Sequence, residues 1–129
     1  MTHAARIPRR IQSWIVSGLL LATLVYLAAS ALGAGPATLS SDPADGQTVS
    51  GTLVWSVTPG NFTPTRIEFS VDGKMSWTEY YSPYRFNGDT GSLDTTTLAN
   101  GTHRLEAVAY VDATEAARIA ANVTVANGV

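Results

Sequence analysis

The segment Asp94 to Tyr110 sets an Asn100-Gly101 turn directly before a run of period two. Leu105, Ala107 and Ala109 share one face of that run, and Arg104, Glu106 and Tyr110 share the other. Strict alternation is the mark of a strand in a sheet with one buried face. It constrains the architecture strongly and the chemistry hardly at all.

The same period recurs along the chain. From Thr48 to Thr58, Leu53, Trp55 and Val57 fall on one face and Val54, Ser56 and Thr58 on the other, with Pro59-Gly60-Asn61 ending the run. From Thr65 to Val71, Ile67, Phe69 and Val71 alternate with Arg66, Glu68 and Ser70. Asp72-Gly73 follows at once, which predicts a two-residue hairpin, since type I′ turns need positive φ twice. The returning strand is Met75 to Tyr81, and Pro83 breaks it. Tyr84-Arg85-Phe86 is a further short strand, and Asn87 to Ser92 is a loop. Gly35 to Thr38 is a linker or a first edge strand, and Asp42 to Gln47 is a turn. Asp112 to Arg118 is expected to be a polar connection with helical propensity in Glu115-Ala116-Ala117-Arg118. Ile119, Ala121, Val123 and Val125 alternate again.

About seven short strands, with turn signals every ten or so residues, predict an all-β fold of two antiparallel sheets packed face to face. The expected core is Leu53, Val57, Ile67, Phe69, Val71, Leu105, Ala107, Ala109, Ile119, Val123 and Val125.

The beginning of the chain is different in kind. Arg6, Arg9 and Arg10 precede a stretch without charge from Ile11 to Ser41, mostly apolar from Trp14 to Ala29. A basic flank, an apolar run and then small residues is the layout of a signal peptide. An uncharged run of about 20 residues also suits a membrane anchor with the arginines held in the cytoplasm. Residues 1–34 are therefore expected to form a hydrophobic helix serving as signal peptide or N-terminal anchor, and residues 35–129 the domain. Either outcome puts the domain at the cell surface or in the medium.

Without the leader the chain keeps five basic and ten acidic residues, a net of about −5. Nucleic acid and anionic membrane surfaces need a basic footprint and are not expected as partners. The membrane is met only through an uncleaved leader. The chain has no cysteine, so thiol catalysis and thiolate metal sites are excluded.

Four stretches carry a resemblance to a known family: Pro43-Ala44-Asp45-Gly46 with Val49-Ser50-Gly51-Thr52; Ile67 to Lys74; Ser82-Pro83-Tyr84-Arg85-Phe86; and Asp94 to His103. In this order they resemble the bacterial immunoglobulin-like domains of extracellular and cell-surface proteins, over about residues 38 to 126. The resemblance implies an immunoglobulin-like sandwich acting as a spacer, stalk or adhesion module, with a cell-surface protein or polysaccharide as partner. Trp55 departs from the family's smaller aliphatic residue, and Gly88 to Ser92 looks like an insertion.

Candidate chemistry is sparse. His103 is the one histidine outside the leader, and it fits a residue opening a strand better than a catalytic base. Asp42, Asp45, Asp72, Asp89, Asp94 and Asp112 lie in expected loops, where turn formation accounts for them without calcium. Neither a metal nor a cofactor is expected. Asn61, Asn100 and Asn122 open glycosylation triplets that carry no meaning in a bacterial chain. The most suggestive cluster is aromatic: Trp77, Tyr80, Tyr81 and Tyr84. On a strand, Trp77 and Tyr81 would face one way and Tyr80 the other. Trp77, Tyr81 and Tyr84 are the candidate ligand-binding residues, able to stack on sugar rings if exposed. The function expected first is a non-catalytic interaction or spacer module; the alternative is a carbohydrate-binding module using these aromatics.

Overall fold

The computed structural model describes residues 35–128; the leader and its expected helix lie outside them. Strands β1 (Thr38–Asp42), β2 (Thr48–Val49), β3 (Thr52–Leu53), β4 (Ser56–Gly60), β5 (Arg66–Val71), β6 (Lys74–Glu79), β7 (Tyr84–Arg85), β8 (Leu93–Asp94), β9 (Gly101–Val111) and β10 (Thr114–Val125) follow in sequence, with a 3-10 turn at Thr95–Thr97. One sheet has the order β2-β10-β9-β5-β6, a second β1-β4-β7, and β3 pairs with β8 alone.

The two long central strands set the frame. β9 and β10 pair along their whole length, from Thr114 opposite Val111 to Val125 opposite Gly101. β5 then adds to β9, with Ile67 opposite Ala109 and Phe69 opposite Ala107. The residues of these pairs share the inner face, and all four are essentially inaccessible to solvent. The Asp72-Gly73 hairpin forms as expected. Asp72 (φ 52°) and Gly73 (φ 82°) both occupy the left-handed region, and Val71 faces Lys74 across the turn.

The chain begins in one layer and crosses to the other. β1 pairs antiparallel with β4, whereas β2, a few residues later, pairs parallel with β10. A cis Asp42–Pro43 peptide lies between them, and Gly46 N–H donates to Asn122 O at 2.8 Å.

Three expectations are corrected. Thr48 to Thr58 is not one strand: the chain turns at Gly51 (φ 59°) and divides into β2, β3 and β4, with β4 continuing through Pro59 and Gly60 against β1. Trp55 and Val57 still point inward, while Leu53 only lines the core. Asp112 to Arg118 is not a connection with helical character. It is a tight turn at Asp112 (φ 55°) followed by the first half of β10, with a bulge between Glu115 and Ala117. The ladder to β9 outweighs the local preference of Glu-Ala-Ala-Arg, because propensity is a weak prior against tertiary pairing.

The third correction concerns the core. Val57, Ile67, Phe69, Leu105, Ala107, Ala109, Val123 and Val125 are buried as expected, and Leu53, Val71 and Ile119 are half-buried against them. Trp55, Phe86, Tyr84, Leu93, Ala121 and Val49 join them. Trp55 and Phe86 stack at 5.4 Å between ring centroids, and Phe69 meets Trp55 edge-on at 4.9 Å. The ring that departs from the resemblance is thus the centre of the core.

The segment Gly88 to Ser92 coincides with a register change. Val57 faces Tyr84 and Leu53 faces Leu93. Four steps on one side match nine on the other, so five residues are extruded from the ladder. Asn87 Nδ2–H donates to Ser92 O at 2.8 Å, and Arg85 Nε–H to Gly91 O at 2.9 Å, closing the loop on itself.

Candidate interaction surface

β6 forms one border of the five-stranded sheet. Trp77 stands directly opposite Phe69, so its ring is on the inner face, half-buried against the core. Its Nε1–H donates to Glu79 Oε2 at 3.3 Å. β6 ends at Glu79, so the alternation expected to reach Tyr81 stops short. Tyr80 and Tyr81 are both exposed, at 57% and 77%.

Tyr84 is corrected. It is buried at 7% exposure, and its hydroxyl donates to Pro64 O at 3.4 Å. Pairing with Val57, an inward residue, places Tyr84 on the inner face of β7. Of Trp77, Tyr81 and Tyr84, only Tyr81 presents a whole ring to solvent. The three therefore do not make one flat platform; the exposed pair is Tyr80 and Tyr81.

Glu79 organises this corner, and sequence reasoning missed it. It is a buried carboxylate at 9% exposure, lying opposite Ile67 on the inner face. Besides the Trp77 indole, it accepts from Tyr80 N–H at 3.1 Å and Tyr81 N–H at 3.3 Å. Buried carboxylates persist when hydrogen bonds satisfy them. This one fixes the backbone that carries both exposed tyrosines. The signal available was an acidic residue at an inward position of an aromatic strand.

Beside the other end of β6 lies a cleft of about 450 Å³. Val71, Phe86, Leu93 and Leu98 supply its apolar lining, with Asp72, Lys74, Ser76 and Thr97 around them. It opens where β6 and the layer containing β8 fail to meet edge to edge.

His103 closes the same end. Its Nδ1 lies 2.6 Å from Asp72 Oδ2, and its Nε2 lies 2.6 Å from Ala99 O. Asp72 Oδ1 also accepts Arg104 N–H at 2.9 Å. The hydrogen bond to Asp72, helped by that to Ala99 O, raises the pKa of His103 above its ordinary value. The same contact with His103, then the Arg104 amide, lowers that of Asp72. The pair ties the β5–β6 hairpin to the Ala99 loop. Both ring nitrogens are taken up by these acceptors, which suits a clamp and not a base.

Several charges elsewhere are paired locally. Arg66 Nε–H meets Glu68 at 2.9 Å, and its guanidinium sits 4.0 Å over the Tyr110 ring. Arg104 and Arg118 both reach Glu106, and Arg118 also reaches Glu115 at 2.6 Å. Asp94 caps the 3-10 turn by accepting Thr96 N–H, and Asp45 accepts Asn122 N–H. Among the described residues no three metal-ligating side chains gather.

A second feature missed from sequence is a polar clamp at the end of the domain. Asn127 accepts Gly51 N–H at 2.7 Å, donates to Thr95 O at 3.1 Å and exchanges backbone and side-chain bonds with Asn100. Thr95, fully buried, donates its hydroxyl to Gly51 O at 2.7 Å.

Two facing antiparallel layers, with β2 parallel to β10, define an immunoglobulin-like β-sandwich. The chain belongs to the bacterial Ig domain family, whose model matches residues 36–107. Among solved structures it is similar to the endo-β-1,4-mannanase of Thermotoga petrophila, at 18% identity and TM-score 0.59 over 72% of this chain. The match spans only 20% of the mannanase chain. It is also similar to the fibronectin(III)-like modules of Clostridium thermocellum CbhA, at 20% identity and TM-score 0.51, covering 70% of this chain and 96% of that one. At these identities the likeness is one of fold. No curated protein matches the chain.

Proposed function

We propose that this chain is an exported, non-catalytic spacer and interaction module. The observation that carries the reading is the position of its ends. Pro36 O accepts Asn61 Nδ2–H at 3.0 Å, and Thr65 N–H donates to Tyr110 O at 2.8 Å, so the chain enters beside the β9–β10 turn. It leaves after Val125, which faces Gly101 at the far end of the same ladder. The 12 residues of β10 separate the two ends, a span of about 40 Å at strand rise. A domain entered at one end and left at the other holds its neighbours apart along its long axis.

Family membership supports the same reading, since bacterial Ig domains are commonly extracellular or surface-associated and typically non-catalytic. The leader over residues 1–34, cleaved or retained, would place the domain outside the cytoplasm. Intact mass of the exported protein separates the two cases.

The chain lacks cysteine, so Ala37→Cys and Gly128→Cys together give a uniquely labelled pair for fluorescence transfer. The expected separation is about 40 Å. A distance of half that would remove the spacer reading.

Exposed Tyr80 and Tyr81 favour a second reading, carbohydrate binding, and one structure of this fold belongs to a mannanase. Affinity electrophoresis against soluble mannans and glucans tests it. Retardation abolished by Tyr81→Ala would establish this reading over the first.

A further inference from the structure

β6 pairs with β5 on one side and, among the described residues, with no strand on the other. An unpaired edge presents main-chain donors and acceptors that another extended backbone can satisfy. Natural edges are commonly blunted by charge or proline. β6 contains no proline and its Glu79 is buried; its blunting features are Lys74 and a bulge at Ser76, and Thr78 beyond the bulge carries no charge. Met75, Tyr80 and Tyr81, three of the large apolar residues exposed on the domain, lie on this strand or directly after it.

The cleft beside this edge has the form that strand addition needs. Val71, Phe86, Leu93 and Leu98 offer an apolar seat. On its rim, Asp72 is already engaged by His103 and by Arg104 N–H. Lys74, also on the rim, makes no ion pair among the described residues. Apolar floor, free cation and open backbone edge therefore coincide within a few residues of β6.

We propose that the outer edge of β6 and its cleft receive an extended peptide, which adds a strand to the sheet. One apolar side chain of that peptide sits over Phe86 and Leu93, and a neighbouring carboxylate faces Lys74. The backbone edge selects a polypeptide over a sugar, and the unpaired Lys74 selects an acidic one. This goes beyond the spacer reading, which rests on where the ends lie and is untouched by either outcome.

The test uses the 15N-labelled full chain in detergent micelles. The probe is a short acetylated and amidated peptide alternating threonine and valine, with leucine and glutamate at its centre. Amide shifts are expected at Met75 and Thr78, which alternate with the residues bonded to β5, and, with 13C added to the label, methyl shifts at Leu93 and Leu98. Replacing the probe's leucine by serine is expected to weaken binding about tenfold or more. Lys74→Glu is expected to weaken the acidic probe about two- to fivefold, and to leave a glutamine-substituted probe unaffected. An N-methylated probe, which lacks backbone donors, is expected to be silent. Equal binding by the N-methylated probe would overturn strand addition. So would a silent probe together with self-association through β6, or with mannan shifts confined to Tyr80 and Tyr81.

Discussion

His103 Nδ1 lies 2.6 Å from Asp72 Oδ2, joining the start of β9 to the tip of the β5–β6 hairpin. The opposite ring nitrogen faces a carbonyl oxygen, Ala99 O. Only the protonated imidazole can donate to both acceptors.

The pH dependence follows from that geometry. The folded pKa of His103 is raised, so its contribution is complete below about pH 6.5, the unfolded value. It is lost as pH rises through the folded pKa. Asp72 is lowered, so its contribution holds above about pH 4 and is lost as pH falls through its folded value. Thermal melts should show the unfolding midpoint declining above pH 6.5. His103→Gln should cost about 1 kcal/mol at pH 6 and flatten the decline. An unchanged slope in the variant would rule the clamp out.

Trp55 is 1% exposed, and its Nε1 has no hydrogen-bond partner among the described residues. Trp55→Phe removes that orphan donor together with part of the ring. It should therefore cost less than Phe69→Ala, which opens a cavity worth about 3–5 kcal/mol. Urea unfolding of both variants checks the order, and a Phe69→Ala midpoint equal to that of the parent would contradict the β5 register.

Gly91 sits against the backbone of Asn87, and a Cβ there would overlap the Asn87 carbonyl. Gly91→Ala should destabilise by about 1–3 kcal/mol, because the neighbour is main chain and cannot swing aside. Gly128→Ala has open space around it and serves as the neutral control in the same calorimetric series.

Asn127→Ala removes the acceptor of Gly51 N–H and the donor to Thr95 O. A loss of about 1–3 kcal/mol is expected, since partly buried groups are left unpaired. Faster amide exchange at Gly51 should accompany it; slow exchange retained there would mean that another group satisfies the amide.

Much of the fold was legible in the chain. Ile67, Phe69, Leu105, Ala107 and Ala109 were readable as inward because a period of two assigns faces without knowledge of partners. Asp72-Gly73 was readable because positive φ at both positions narrows the choice of residue. The site was less legible. Tyr84 and Tyr81 look alike in sequence, and only the pairing of Tyr84 with Val57 separates core from surface.

Local chemistry along the chain determined the hairpin and most strand faces, since each depends on neighbours a few residues apart. The tertiary structure alone decided that Glu115 to Arg118 is strand, that Glu79 is buried and that five residues leave the ladder after Phe86. It also decided that His103 meets Asp72, 31 residues away. These outcomes depend on which strand lies opposite, a long-range pairing that no local pattern encodes.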